Sequence, residues 1–402
     1  MNPFKSLSII EIQNHSEQRY FLIENNGCFM EANELTASLL TCLKNSPKID
    51  DGIEEFCSMH KGIEQNVVKD FINTKLAKTL FYSSKQPNSF LYQKQLLSSS
   101  IVDSIAEKIS FLFNKKIYRV CFIIALLLDI AYLILSHNLM RFSSQIDAII
   151  IIGVMIFIIL SSLIHEFGHA AAANKFGIST GGIGLGLYIN FPVFYTDVTN
   201  IWKLPVLQKC IVNIAGIYFQ LLILVPIIIA HQITGIEIFR YFIVATNFSF
   251  LLNLNPFFRF DGYWLISDIT GVPNLRKKSR EFFSYIIKRI LKYPTKRTPY
   301  LLQLKGGLRL SILIYAIVVN IFMAYYILYI IPVFMWSFFY SIPDLTKQFI
   351  ICLSNNIMPP FVLLQNLFSE ILFFVIIIFM LYRLGHNYYA NFISKNKRKQ
   401  SV

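Results

Sequence analysis

Long apolar segments constrain this chain more than any other feature of its sequence. They lie at about 117–136, 147–171, 208–231, 237–255, 309–332 and 361–383. A helix needs about 20 apolar residues to cross ~30 Å of hydrocarbon. Only 15% of the 402 residues are charged, whereas soluble domains average about 25%. The sequence therefore predicts a mainly α, polytopic membrane protein with about six transmembrane helices.

Basic residues cluster beside these segments and give the chain a formal net charge of +14. Residues 276–305 hold ten of them against one acidic residue, Glu281: Arg276, Lys277, Lys278, Arg280, Lys288, Arg289, Lys292, Lys296, Arg297 and Lys305. The tail adds Lys395, Lys397, Arg398 and Lys399. Basic clusters that flank spans follow the positive-inside rule. We therefore predict a multi-pass cell-membrane protein with cytoplasmic N- and C-termini. Its basic residues are expected to interact with the lipid bilayer and not with nucleic acid.

The first 115 residues have the mixed composition of a small soluble domain. "RYFLIENNGCFME" predicts a hairpin around Asn25-Asn26-Gly27. Apolar spacing then predicts short helices over 33–44, 52–60 and 64–79, and "LFYSS" is a candidate returning strand. This order favours a small winged-helix-like α+β domain over 1–115, with a transmembrane domain over 116–402. An unspecific α+β domain is the alternative.

The second apolar segment ends in the polar motif His165-Glu166-Phe167-Gly168-His169. On a helix, histidines at i and i+4 share one face and can bind one Zn²⁺, with the glutamate beside them as the base. Ionisable groups inside a span cost roughly 2.5–3.5 kcal/mol each, so a purely structural role is a poor explanation. The six cysteines contain no CxxC pair. The motif therefore predicts one Zn²⁺ per chain, held by His165 and His169.

A catalytic zinc site usually has a third protein ligand, and Asp261 in "NPFFRFDG" is the best candidate. The second span runs inward from near Ala148, so His165 lies about 25 Å deep, close to the cytoplasmic boundary. The fourth span runs the same way and should break at Asn255-Pro256. Topology therefore predicts that Asp261 reaches the level of His165.

Other polar residues near these motifs leave alternatives open. Asp197 and Asp268 compete with Asp261 as the third ligand, although loop or cap roles suit both better. Asn255 is a candidate for binding near the metal or substrate, or a simple cap of the broken helix. Arg259 could pair with Asp261 or extend to the lipid headgroups.

These paired motifs resemble the site-2 protease family of zinc intramembrane metalloproteases over roughly residues 147–270. The resemblance implies that His165, His169 and Asp261 hold zinc and that Glu166 is the catalytic base. "GLYINFPVFYTDVTNIWKLP" and "AGIYFQ" are most similar to its peptide zinc metalloprotease branch. The segment with Arg259 is more aromatic than the common form. Residues 19–83 also resemble the PqqD-like element, which binds leader peptides of ribosomally made peptides.

A glycine-rich stretch over residues 179–198 could hold an extended substrate. Gly184 suits close backbone approach, and Leu187 begins a run that suits a strand. Addition of the substrate as a strand would supply main-chain hydrogen bonds. A purely structural re-entrant hairpin is the alternative.

The function predicted from these features is zinc-dependent hydrolysis of a peptide bond near the cytoplasmic face. A leader-binding domain favours maturation of a ribosomally made peptide, with a maturation or export system as partner. Regulated cleavage of a membrane-spanning signalling protein, or a non-catalytic scaffold or export partner, are the alternatives. An intact Glu166 argues against the scaffold, because a metal store needs no base.

Overall fold

A computed structural model describes residues 2–12, 20–25, 28–60, 62–76, 90–136, 148–189, 191–272, 274–294, 298–304 and 306–399. Its strands are β1 (Ser8–Ile12), β2 (Tyr20–Asn25), β3 (Cys28–Asn33), β4 (Tyr92–Leu97), β5 (Ile183–Tyr188) and β6 (Phe191–Thr196). Its α-helices are α1 (Glu34–Asn45), α2 (Ile49–Met59), α3 (Gln65–Phe71), α4 (Ser99–Ile109), α5 (Lys115–Leu135), α6 (Ala148–Lys175), α7 (Val206–Thr234), α8 (Glu237–Asn253), α9 (Asp261–Thr270), α10 (Leu275–Ile290), α11 (Gly306–Tyr325), α12 (Ile331–Ser354) and α13 (Phe361–Lys399). The predicted turn residues Asn26-Gly27 and the predicted strand "LFYSS" lie outside the described residues.

The chain divides into two compact units that each combine separate stretches of sequence. The first contains Met1–Asn88, Val198–Ile214 and Leu254–Asn320, and the second contains Ser89–Asp197, Ala215–Asn253 and Ile321–Val402. The division follows contacts rather than chain order. The domain boundary placed after residue 115 therefore remains a prediction.

The N-terminal part of the first unit is an antiparallel sheet followed by three helices. Strands β1, β2 and β3 pair in sequence order, and Asn33 caps α1 by accepting a 3.0 Å hydrogen bond from the Thr36 amide. The predicted hairpin strands and the three helices are present, but β1 is an additional strand. Its core is aliphatic and aromatic: Phe4, Leu7, Ile23, Leu39, Leu40, Leu43, Ile53, Phe56, Val68, Ile72 and Leu76. The winged-helix shape remains a prediction.

The rest of the first unit packs α9 and α10 with the start of α11. Helix α9 ends at Gly271, whose φ of 62° suits a glycine C-cap. The shared core contains buried apolar residues from each element: Tyr263, Val272, Leu275, Phe282, Leu301, Leu304, Ile312 and Ala316. This packing fixes one face of α10 and leaves its opposite face outside the core.

The second unit combines long helices with a small antiparallel sheet in the order β4-β5-β6. Strands β5 and β6 form a hairpin from Ile183↔Thr196 to Tyr188↔Phe191, within the glycine-rich stretch where the sequence predicted a strand. Strand β4 pairs with the other edge of β5 and was not predicted. Helix α4 packs against α6 through Val102, Ala106 and Ala170.

Five helical segments among the described residues are long and apolar enough to cross a membrane: Lys115–Leu135, Ile149–Lys175, Val206–Thr234, Gly306–Ser354 and Phe361–Arg383. This finding supports a membrane protein. Predicted span 237–255 corresponds to α8, which has 17 residues and would rise only about 25 Å, less than the ~30 Å of hydrocarbon. The predicted count of six is therefore not confirmed.

Four prolines, Pro332, Pro343, Pro359 and Pro360, also predict an outer loop with a surface helix over 333–360, and the structure has a helix over most of this range. Helix α11 continues through a π-helical turn, Tyr326–Ile330, into α12. Pro332 lies at the start of α12, directly after this π-helical turn. Pro343 lies inside the helix, where the sequence signal for a loop was overridden by the apolar run around it.

Candidate functional site

Helix α6 carries the His165-Glu166-x-x-His169 motif on an uninterrupted stretch of helix. The three side chains are buried, with relative exposures of 5% for His165, 8% for Glu166 and 6% for His169. One ligand atom from each can be chosen so that all lie within 4.8 Å of one another. The structure therefore brings together the three residues that the motif predicted.

The two imidazoles are oriented as a metal-binding pair. Their Nε2 atoms lie 3.1 Å apart, and their ring planes are tilted by 78°. Two nitrogens that share a tetrahedral zinc at ~2.0–2.1 Å would be separated by about 3.3–3.4 Å. The observed separation is close to that value, so the pair fits zinc without rearrangement of the helix.

Gln220 on α7 fixes the orientation of His165. Its Oε1 lies 3.0 Å from His165 Nδ1, and an amide oxygen can only accept, so Nδ1 carries the proton. The Gln220 amide nitrogen in turn donates to Ser161 Oγ at 3.0 Å and to Ser249 Oγ at 3.4 Å. This tautomer presents His165 Nε2 toward His169, which is the arrangement that metal-binding histidines need.

Thr196 at the end of β6 contacts Glu166. Its hydroxyl donates to Glu166 Oε2 at 2.7 Å and also lies 3.0 Å from the Glu166 backbone oxygen. A hydroxyl that donates to a carboxylate restrains the rotation of that carboxylate. Thr196 therefore connects the last residue of the hairpin to the carboxylate of the motif.

Two glycines allow α6 and the second-unit part of α7 to approach closely at the site. A Cβ on Gly168 would lie 2.4 Å from the Ala215 oxygen, and a Cβ on Gly216 would lie 2.4 Å from His165 Nε2. Neither position has room for a side chain. The Gly216 backbone therefore packs directly against the His165 ring.

Sequence reasoning assigned no role to Gln220, Thr196 or Gly216. A glutamine inside a long apolar helix is a signal that could have identified Gln220, because buried polar groups in spans usually bind a partner. Gly216 and Gln220 both lie in "AGIYFQ", which was noted only for its resemblance. Nothing in the sequence indicated that Thr196 contacts Glu166, because the contact depends on how the hairpin folds back.

Asp261 and Asn255 belong to the first unit, whereas the histidine pair belongs to the second. Asp261 is the first residue of α9, and its ligation of the metal remains a prediction. Asn255 Oδ1 accepts a 2.8 Å hydrogen bond from the Phe257 amide. This local turn fits the capping role that was left open for Asn255 at the break after α8.

Asp268, a competing third ligand, is engaged within the first unit. Its Oδ2 accepts from Asn213 at 2.7 Å, and its Oδ1 lies 3.3 Å from Lys209 Nζ. Burial raises the pKa of Asp268, although Lys209 and Asn213 oppose that shift. These contacts give Asp268 a structural role in joining α7 to α9.

Asp197, the other competing ligand, lies at the end of a strand ladder, and Arg259 lies near an aromatic ring. The Asp197 amide donates to the Gly182 oxygen at 3.2 Å, where the β5–β6 ladder ends, which fits the loop role considered for it. The Arg259 guanidinium lies 6.0 Å from the ring centre of Tyr263.

Gly184 and Leu187 lie on β5, the central strand of the second-unit sheet. Gly184 pairs with Gln95 on β4 and with Tyr195 on β6. Leu187 likewise has a partner on each neighbouring strand. Both edges of β5 are therefore filled, whereas β6 has one neighbouring strand, β5, among the residues that the structure describes. Substrate binding at Gly184 and Leu187 remains a prediction.

Comparison with known proteins supports a zinc metalloprotease at a coarse level. Over 116 residues the chain is 27% identical to the "Putative peptide zinc metalloprotease protein YydH" of Bacillus subtilis (strain 168). The alignment covers 28% of this chain and 46% of that protein, so the chain spans less than half the length of the relative it matches. No model of a known protein family matches the chain. No solved structure matches it with significance.

Proposed function

We propose that this chain is a zinc-dependent endopeptidase that hydrolyses a peptide bond within the membrane, near its cytoplasmic face. The observation that carries the proposal is the buried His165-Glu166-His169 group on a helix apolar enough to span a membrane. The partial similarity to a peptide zinc metalloprotease supports the same reaction class.

His165, His169 and Asp261 are the residues that would hold zinc in this proposal. Bound zinc supplies Lewis acidity for the scissile carbonyl and lowers the pKa of a water toward ~7. Gln220 keeps His165 in the tautomer that this role requires. Gly216 sets the position of the imidazole ring by filling the space beneath it with backbone.

Glu166 is the general base of the proposed reaction. Its Oε2 is held by Thr196, so we assign proton transfer to Oε1, which takes a proton from water and delivers it to the leaving amine. Asn255 is the residue to which we assign a hydrogen bond with the substrate. This assignment is separate from its observed turn contact with Phe257.

The β4-β5-β6 sheet is the platform that we propose for an extended substrate. Because both edges of β5 are filled, a substrate strand would add beside β6 rather than beside Gly184 or Leu187. Strand addition supplies main-chain hydrogen bonds along its length. Thr196 ends β6 and contacts Glu166, so a peptide on this edge would pass near the base.

The substrate that we propose is a ribosomally made peptide in a maturation or export system. The support is the partial similarity to a protein named as a peptide zinc metalloprotease and the PqqD-like resemblance of residues 19–83. We also propose, from the basic clusters, that both termini are cytoplasmic, so that the N-terminal domain would lie on the side where such a peptide is made. The second candidate, site-2-type cleavage of a membrane-spanning signalling protein, is favoured by the depth of the motif in α6.

A paired metal and cleavage assay tests the proposal. Purified full-length chain should bind about one zinc ion per chain and should cleave a peptide encoded by a neighbouring gene, and a chelator should abolish cleavage. Glu166→Gln should retain zinc and lose cleavage, because the amide cannot accept the proton. Zinc binding without cleavage of any peptide or membrane-spanning substrate would favour the scaffold alternative. Retained cleavage in the variant would reject Glu166 as the base.

A further inference from the structure

A groove in the first unit lies far along the chain from the zinc motif and has no role in the proposed reaction. Its volume is about 770 Å³, within the ~300–1,000 Å³ range of small-molecule sites. Most of its lining comes from one face of α10 and the residue after it: Arg280, Phe283, Ser284, Ile287, Lys288 and Leu291. Tyr293, Pro294 and Asn320 complete it.

The lining residues follow helical spacing, so the groove has a polar side and an apolar side. Arg280, Ser284 and Lys288 are spaced by four residues, which places each about 6 Å beyond the last along α10. Phe283 and Ile287 form a second row beside them. A hydroxyl donor thus lies one helical turn from a cation on either side, and an apolar strip runs parallel to this row.

The opposite face of α10 is already used for packing. Leu275, Ser279 and Phe282 are buried against the first-unit core, and the Lys278 ammonium lies 3.6 Å from the ring centre of Tyr300. Among the described residues, neither Arg280 nor Lys288 forms an ion pair. The cations of the groove therefore have a different role from Lys278.

Apolar side chains around the groove are open rather than packed. Ile287 is 43% exposed and Leu291 is 59% exposed. Asn320 lies on α11, within the segment Gly306–Ser354 that is apolar enough to cross a membrane. The groove thus includes a residue of a candidate span, and lipid would surround its apolar strip if that segment crosses the membrane.

We propose that this groove binds one anionic phospholipid. Its phosphate would lie at Ser284 between Arg280 and Lys288, and an acyl chain would cover Phe283 and Ile287. Charge complementarity favours this occupant, since basic pockets beside spans bind anionic headgroups and residues 276–305 carry ten cations against one carboxylate. The inference does not depend on the proposed enzymatic activity.

Lipid titration of the purified full-length chain tests the site. Phosphatidylglycerol and phosphatidylcholine with identical acyl chains would be added in neutral detergent, with binding followed by native mass spectrometry and by thermal unfolding. Phosphatidylglycerol should bind saturably and raise the unfolding temperature, because a ligand that binds only the folded state stabilises it. Equal binding of phosphatidylcholine would overturn the proposal.

Matched variants distinguish lipid binding in the groove from a general effect of positive charge on α10. Arg280→Gln/Lys288→Gln should weaken phosphatidylglycerol binding by about tenfold or more, since each cation near an anionic surface contributes substantially. Lys277→Gln/Arg289→Gln removes the same charge from exposed positions of α10 outside the groove and should change binding by less than about threefold. Equal losses in both pairs would reject a specific site.

Two further controls keep the result interpretable. Arg280→Lys/Lys288→Arg preserves charge and should retain binding, which shows that the groove tolerates substitution. Glycerol phosphate should not displace the lipid at matched concentrations, because it lacks the acyl chain that the apolar strip covers. Full displacement would identify a site for soluble phosphate instead. One further outcome would reject the proposal. If Arg280→Gln/Lys288→Gln changes peptide cleavage but leaves lipid binding unchanged, the groove binds peptide.

Discussion

The Thr196 hydroxyl donates to Glu166 Oε2 at 2.7 Å, and this contact joins the end of β6 to the residue assigned as the base. Thr196 is not a candidate metal ligand, and Glu166 lies between the two histidines in sequence without sharing their role. The hydrogen bond therefore offers a way to change the base while leaving the metal unaffected.

Thr196→Val should lower kcat for peptide cleavage by about 10- to 100-fold, because a hydrogen bond to a charged group is lost without a change of shape. Thr196→Ser keeps the hydroxyl and should retain most of the activity. Zinc content should be the same in both variants. Loss of zinc in the valine variant, or equal activity of the two, would show that Thr196 does not position Glu166.

Gln220→Leu should weaken zinc binding by about 10- to 100-fold, as the removal of a hydrogen-bond partner from a metal-binding histidine commonly does. The measurement is competition for zinc with a chelator of known affinity. Ser249→Ala is the matched control, since Ser249 contacts Gln220 only at 3.4 Å. Unchanged zinc affinity in the leucine variant would indicate that His165 does not depend on Gln220.

The HExxH motif was predictable from sequence because two chemical demands coincide in five residues. His165 and His169 must share a helix face, and ionisable groups must have a reason to lie in an apolar helix. Thr196 and β4 could not be predicted in this way. Their positions depend on pairing between segments distant in sequence, namely Tyr92–Leu97 with Ile183–Tyr188, and no local pattern specifies that pairing.

The helical segments show the same limit. Apolar composition correctly predicted long helices at α5, α6 and α7. The span predicted to end at residue 332 continues as helix to Ser354. Helix α8 was overestimated in length because apolar residues continue beyond Asn253 to the turn at Asn255.

Glu24→Gln should destabilise the first unit near neutral pH and have little effect in acid. Burial raises the pKa of Glu24, but Lys203 at 2.6 Å and Ser8 at 2.8 Å outweigh it, so the folded pKa lies below 4.5. A lowered folded pKa gives stability that is present above the unfolded pKa and lost as pH falls through the folded pKa. The two unfolding curves should therefore converge below about pH 4.

Chemical denaturation at several pH values gives the free energy of unfolding of wild type and variant, and the difference between the two measures this convergence. Lys203→Met should produce the same pH dependence, because it removes the other partner of the ion pair. The effect at neutral pH should be about 0.2–1 kcal/mol, as expected for a pair that is partly open to solvent. A constant difference between wild type and Glu24→Gln from pH 3 to pH 7 would contradict the ion-pair assignment.

Gly216→Ala should reduce zinc binding more severely than Gly153→Ala, which changes the glycine of α6 that lies outside the site. The new Cβ would lie 2.4 Å from His165 Nε2 and within 2.5 Å of two ring carbons, so the imidazole must leave the position in which its Nε2 lies 3.1 Å from His169 Nε2. Gly168→Ala should separate α6 from α7, because its Cβ would meet the Ala215 backbone at 2.4 Å. Backbone cannot yield as a flexible side chain can.

Gly153→Ala supplies the control on the same helix as Gly168. Its Cβ would meet only the Ile238 side chain, with the terminal methyl carbon nearest at 2.8 Å, and that side chain can change rotamer. We expect wild-type zinc content and cleavage in Gly153→Ala, with loss of both in Gly216→Ala and Gly168→Ala. Thermal unfolding distinguishes the two site variants. Gly168→Ala should lower the unfolding temperature more than Gly216→Ala, because it requires two helix backbones to move apart, whereas Gly216→Ala requires only the His165 ring to move. Normal zinc binding in Gly216→Ala would show that the His165 ring is not held against this glycine.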